Sequence, residues 1–78
     1  MQDLIEFIAR SLVDDPTQVF VSQGRRGSAV DVRLRVAKED MGRVIGKGGR
    51  VANAMRTLLR VAAARDGKRA SLNVEEPN

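Results

Sequence analysis

Apolar and polar residues follow two different rhythms along this chain, and the changes of rhythm mark its elements. Leu4, Ile5, Ile8 and Leu12 recur at helical spacing with Asp3, Glu6 and Arg10 opposite, which predicts an amphipathic helix over 1–13. Asp14-Asp15-Pro16 ends it, because the residue before a proline is pushed out of the helical region. Val19, Phe20 and Val21 then favour extended chain, and QGRRGS reads as a glycine-bounded hairpin loop carrying Arg25 and Arg26. In VDVRLRV, Val30, Val32, Leu34 and Val36 alternate strictly with Asp31, Arg33 and Arg35, which predicts a strand with one buried and one wet face. After Ala37-Lys38-Glu39-Asp40 the helical rhythm returns. Met41, Val44 and Ile45 share a face of a short helix that stops at Gly46.

A longer helix is expected from Arg50 to about Arg65, with Val51, Met55, Leu58 and Ala62 along one side. Ala54, Leu59 and Val61 flank that side, and Arg56 and Arg60 lie opposite. Asp66-Gly67-Lys68 breaks the helix. RASLNVE gives the last strand, with Ala70, Leu72 and Val74 inward, and residues 76–78 are expected to form a frayed tail. The order helix-strand-strand-helix-helix-strand, with one polar face on the later strands, predicts a two-layer α+β domain spanning 1–78. Its three-stranded sheet would be covered on one face by three helices. Strands two and three, joined through two helices, should run parallel.

Composition narrows the chemistry. The chain has no histidine and no cysteine, which removes the usual general base, the thiolate nucleophile and the commonest metal ligands. Its ten carboxylates are scattered and none pairs around a glycine-rich segment, so catalysis is not expected, nor any metal or cofactor. No apolar run approaches the roughly 20 residues that cross a bilayer. The opening MQDLIEF carries Asp3 and no basic leader, so a cytoplasmic protein is expected. The net charge of +4 and pI of about 10.7 bias so small a chain toward polyanions.

The segment VIGKGGR, residues 44–50, puts three glycines and two cations in seven positions. A mononucleotide P-loop needs four residues between its first glycine and the Gly-Lys pair, followed by Ser or Thr. Here Gly42 and Gly46 are separated by three, and Gly48 follows Lys47. The dinucleotide fingerprint needs a glycine at the position of Val51, in a loop that follows a strand. What fits is a short loop joining two helices. Gly46 ends one helix, and Gly49 opens the next without a side chain in the way of an approaching backbone. Unpaired amides at the new helix's N-terminus would seat a phosphate. Lys47 and Arg50 would add charge. The plainer alternative is a tight helix–helix connection.

With this loop at its centre and this element order, the sequence resembles a KH domain of the bacterial type II arrangement. The run EDMGRVIGKGGR leading into a basic helix resembles the small single-domain proteins of the KhpA type. That resemblance implies a GxxG loop, Gly46-Lys47-Gly48-Gly49, that clamps the backbone of single-stranded RNA across about four nucleotides. It also implies self-association, a larger KhpB- or Jag-type partner, and a part in post-transcriptional regulation or RNA chaperoning, in some bacteria with cell-shape phenotypes. Arg43 and Arg50 flank the loop and are candidate phosphate contacts. Asn53, one turn on, is a candidate for a base edge or phosphate, and Ile45 for the apolar floor of a base groove. Val44 and Val51 could join that floor or simply pack in the core. Arg33 and Arg35 read as solubility and edge-protection charges. Arg25 and Arg26 read as a solvated turn within reach of a longer RNA. The alanine-rich stretch around Val61 makes the long helix a candidate protein contact, the basis of an alternative function as a protein-interaction subunit.

Overall fold

The structure, a computed structural model, describes residues 1–75, with Lys47 described by its backbone alone. The expected tail 76–78 lies outside the described residues. The first helix, α1, runs Gln2–Leu12 and buries Ile5 and Ala9. Asp3 in its first turn and Arg10 in its last complement the helix dipole, and Glu6 pairs with Arg10 at 2.9 Å. Ala9 replaces Leu12 in the buried set that periodicity suggests: the helix end lifts Leu12 to 37% exposure. The chain then turns at Pro16–Gln18, where the Asp15 carboxylate accepts the Thr17 N–H.

Strand β1 spans Phe20–Arg26 and β2 spans Ala29–Arg35, in antiparallel register from Phe20↔Arg35 to Arg26↔Ala29. The expected QGRRGS loop is therefore a correction. Gln23, Gly24, Arg25 and Arg26 continue β1, and only Gly27-Ser28 make the turn. Gly27 at φ +59, followed by a residue of negative φ, is the type II′ pattern whose twist suits a two-residue hairpin. Val30, Val32 and Leu34 are buried as the alternation predicts, and Val36 just past the strand joins them.

A single helical turn at Lys38–Asp40 leads into α2, Met41–Ile45, and then α3, Arg50–Arg65. The buried side of α3 is rotated from the predicted one. Ala52, Met55, Leu59 and Ala63 are buried, while Leu58 is 50% and Val61 54% exposed. Apolar residues ring much of this helix, so spacing alone does not choose between Leu58 and Leu59. Arg56 is half-buried rather than on the outer face, because its Nε donates to the Leu72 carbonyl at 3.2 Å. The helix closes with Lys68 N–H on Ala63 O at 2.9 Å and Gly67 N–H on Ala64 O at 3.1 Å, the paired bonds of a Schellman stop.

Strand β3, Arg69–Glu75, pairs parallel to β2, and the sheet order β1-β2-β3 leaves β1 and β3 as edges. Three helices on one face of a mixed three-stranded sheet make an α+β fold compatible with the expected type II KH arrangement. The core joins Ile5, Ala9, Val30, Val32, Leu34, Val44, Met55, Leu59 and Leu72 from both layers.

A buried carboxylate ties two helices of the helical layer together. Asp40, 2% exposed, accepts the backbone N–H groups of Asp14 and Asp15, each at 3.1 Å. Arg43 Nε approaches the same carboxylate at 3.3 Å, and its Nη2 reaches Asp14 at 2.8 Å. The end of α1 is thus pinned to the start of α2, which sets where the glycine loop emerges.

Candidate nucleic-acid interface

The loop owes its shape to three glycines with positive φ. Gly46 ends α2 at φ 60, ψ 140, and its N–H bonds to Gly42 O at 2.8 Å. Gly48 sits at φ 70, ψ 23 within a tight turn, and Gly49 at φ 91, ψ 7 is the N-cap of α3. The turn closes through Gly49 N–H on Gly46 O at 2.6 Å. An L-residue pays about 1–2 kcal/mol for such a conformation, so three in four positions is a composition glycine alone sustains.

The three glycines differ in what surrounds them. A Cβ on Gly46 would overlap Val51 Cγ2 and lie 2.9 Å from Val51 Cβ. Gly46 is therefore required by packing against the first turn of α3. A Cβ on Gly48 would meet nothing within 4 Å, and one on Gly49 only Asn53 Nδ2 at 3.9 Å. The backbone of Gly48 and Gly49 is bare toward open space. No side chain caps α3, and the first-turn amides of a helix lack intrahelical partners. The dipole of this 16-residue helix adds partial positive charge there. An anionic backbone can approach Gly48 without meeting a Cβ there.

Around it the structure gathers part of the expected set. Arg50 is exposed as the first residue of α3. Ile45, 38% exposed, closes α2 beside the loop, whereas Val44 is fully buried and Val51 is half-buried against Gly46. Asn53 is exposed with its Nδ2 toward Gly49, and its Oδ1 accepts from Arg56 Nη1 at 3.0 Å. Arg43 is held differently: its guanidinium is committed to Asp14 and Asp40 at the α1–α2 junction.

Two residues escaped the sequence reading. Arg56 links the β3 edge at Leu72 O to Asn53, and so fixes which way the Asn53 amide points. The spacing of Asn53 and Arg56 is the one signal available in the sequence. Asp40 had none, since its acceptor role depends on amides 25 and 26 residues away.

The chain is similar to known proteins along almost its whole length. The family model described as "KhpA/KhpB, KH domain" matches residues 2–74. The "RNA-binding protein KhpA" of Clostridium acetobutylicum is 46% identical over 74 residues, covering 95% of this chain and 99% of that protein. Proteins of the same name from Treponema pallidum and Listeria monocytogenes are similar as well. The first is 45% identical over 73 residues, covering 94% of this chain and 91% of its own. The second is 41% identical over 76 residues, covering 97% and 100%.

Proposed function

Because the chain belongs to the KhpA/KhpB family of KH domains, we propose that it is a non-catalytic protein that binds single-stranded RNA through the loop Gly46–Gly49. The observation that carries this reading is the bare backbone of Gly48 and Gly49 at the uncapped start of α3. Phosphates sit against the Gly48 backbone and the unpartnered amides of the first turn of α3, the Gly49 N–H being held by Gly46 O, with Lys47 in the loop and Arg50 behind it as the cations. Ile45 supplies an apolar patch for a base. Asn53, oriented by Arg56, supplies a hydrogen-bonding group. Arg43 acts at one remove: by tying Asp14 and Asp40 it positions α2, and with it the loop. The family resemblance, rather than the geometry, supports RNA chaperoning or post-transcriptional regulation in the cytoplasm as its role. No described helix is long and apolar enough to cross a membrane.

The test replaces Lys47-Gly48 with Asp-Asp. A side chain at Gly48 enters open space, so the circular dichroism spectrum should be kept while RNA affinity falls at least tenfold. Unchanged affinity with an intact fold would refute the assignment.

A second reading has its own observation. Leu58 and Val61 are half-exposed neighbours on the outer side of α3, a surface suited to a protein contact such as self-association or a KhpB- or Jag-type partner. Sedimentation of the wild type against Val61→Asp tests it. A wild type that stays monomeric at all concentrations, alone and with the partner, would remove this reading.

A further inference from the structure

The sheet face away from the helices carries a pattern the loop does not use. The register places Arg26, Ala29 and Arg69 in one row across the sheet, and Gly24, Asp31 and Ser71 in the next. Ser22, Arg33 and Asn73 follow, then Phe20, Arg35 and Glu75. Residues paired directly across a sheet share a face, and none of these twelve is buried. Four arginines thus stand against two carboxylates. Asp31 is already engaged: it accepts Ser71 Oγ at 3.1 Å, Asn73 Nδ2 at 3.0 Å and Arg33 Nε at 3.1 Å. Among the described residues, Arg26, Arg35 and Arg69 pair with no carboxylate.

Two shallow troughs lie on this face and share Arg33. One is floored by Gly24, Ala29 and Ser71 beside Arg26. The other runs between Phe20, Ser22, Arg35 and Glu75. Phe20 is 56% exposed. A surface shaped for solubility alone has little use for an exposed phenyl ring beside an arginine. Guanidinium planes next to an aromatic ring, along a track of small residues, are the chemistry that takes stacked bases and a phosphate backbone together.

We propose that this open sheet face is a second binding surface for single-stranded RNA, engaged when an RNA held at the glycine loop is long enough to pass around the domain. The proposal rests on the RNA-binding reading above. Arg26, Arg35 and Arg69 neutralise phosphates, Phe20 stacks a base, and Arg33, fixed by Asp31, lines both troughs.

The experiment compares a hexanucleotide, long enough for a loop that clamps about four nucleotides, with an RNA of about 20 nucleotides. The variants are Arg26→Gln/Arg35→Gln/Arg69→Gln and, separately, Phe20→Ala. Both alter exposed side chains, and circular dichroism confirms the fold. The expected result is unchanged hexanucleotide affinity and about tenfold weaker binding of the long RNA by each variant. For the triple variant, the slope of log K against log salt should shrink by about 2, at roughly 0.7 per lost phosphate contact. Long-RNA affinity and slope equal to wild type would overturn the proposal and leave the face to solubility or an acidic protein. Equal losses on both lengths would overturn it too, because the face would then belong to the loop's own footprint. Failure of the loop reading shows elsewhere, in a Gly48→Asp variant that keeps the hexanucleotide.

Discussion

Gly46 and Gly48 carry the same residue for different reasons, and alanine should separate them. At Gly46, alanine meets two costs. Its φ of 60 with ψ of 140 lies outside the left-handed helical well, in backbone space that favours glycine, and asks about 1–3 kcal/mol of an L-residue. Its Cβ also overlaps Val51 Cγ2, and the β-branched Val51 has little rotamer freedom in the first turn of α3, so relief needs a backbone shift of about 1–3 kcal/mol. Reduced freedom of the unfolded chain returns roughly 0.4–1 kcal/mol. The net loss is about 1–5 kcal/mol, from a domain whose whole stability is of order 4–12 kcal/mol by size. At about 4–8 °C per kcal/mol, Gly46→Ala should melt about 5–40 °C below wild type, near 20 °C at mid-range. At Gly48 only the φ cost applies, and the drop should be several degrees at most, at about 1 kcal/mol. Thermal melts followed by circular dichroism measure both. A double-mutant cycle with Val51→Ala isolates the Cγ2 part of the overlap, the Cβ contact remaining: the double variant should be more stable than the sum of the singles by about 1–2 kcal/mol. Equal melting of Gly46→Ala and Gly48→Ala, or an additive cycle, would refute this division of labour.

Other consequences follow from the same contacts. Asp40→Ala strips two amides of their acceptor at about 1–3 kcal/mol each, so chemical denaturation should show a loss of about 2–6 kcal/mol. Arg43→Ala breaks ion pairs with a half-exposed guanidinium and should cost under about 1 kcal/mol in the same assay. Arg56→Ala frees the Asn53 amide, so RNA affinity should fall several-fold with about 1 kcal/mol of stability lost; Arg56→Lys, lacking the fork, should restore neither. Hexanucleotide affinity should fall with salt at a slope of about −2 to −3, as for three or four neutralised phosphates.

The elements with one clear rhythm were legible in the sequence. The limits of α3 and β3 and the buried side of β2 follow from spacing and from the glycine after α3. β1 was misjudged because Gly24 and two arginines look like a loop, yet an edge strand tolerates them once a two-residue turn fixes the register. The rotation of α3 was hidden because Leu58 and Leu59 satisfy the pattern equally well, and only the sheet beneath decides between them. At the loop, glycine spacing conveyed the position of the candidate site and of its turn. It could not tell which glycine is required by packing and which is left bare, since that depends on the rotamer of Val51. Asp40 and Arg56 act on backbone groups 16 to 26 residues distant, which no local pattern encodes.

The central claim is that RNA lies on the bare glycine backbone at the start of α3. Titrating labelled protein with a hexanucleotide and following backbone amide resonances tests it most directly. The largest shifts should run from Ile45 to Asn53 and be lost in the Lys47→Asp/Gly48→Asp variant. Shifts confined to α1 or to the outer side of α3, with residues 45–53 unmoved, would contradict it.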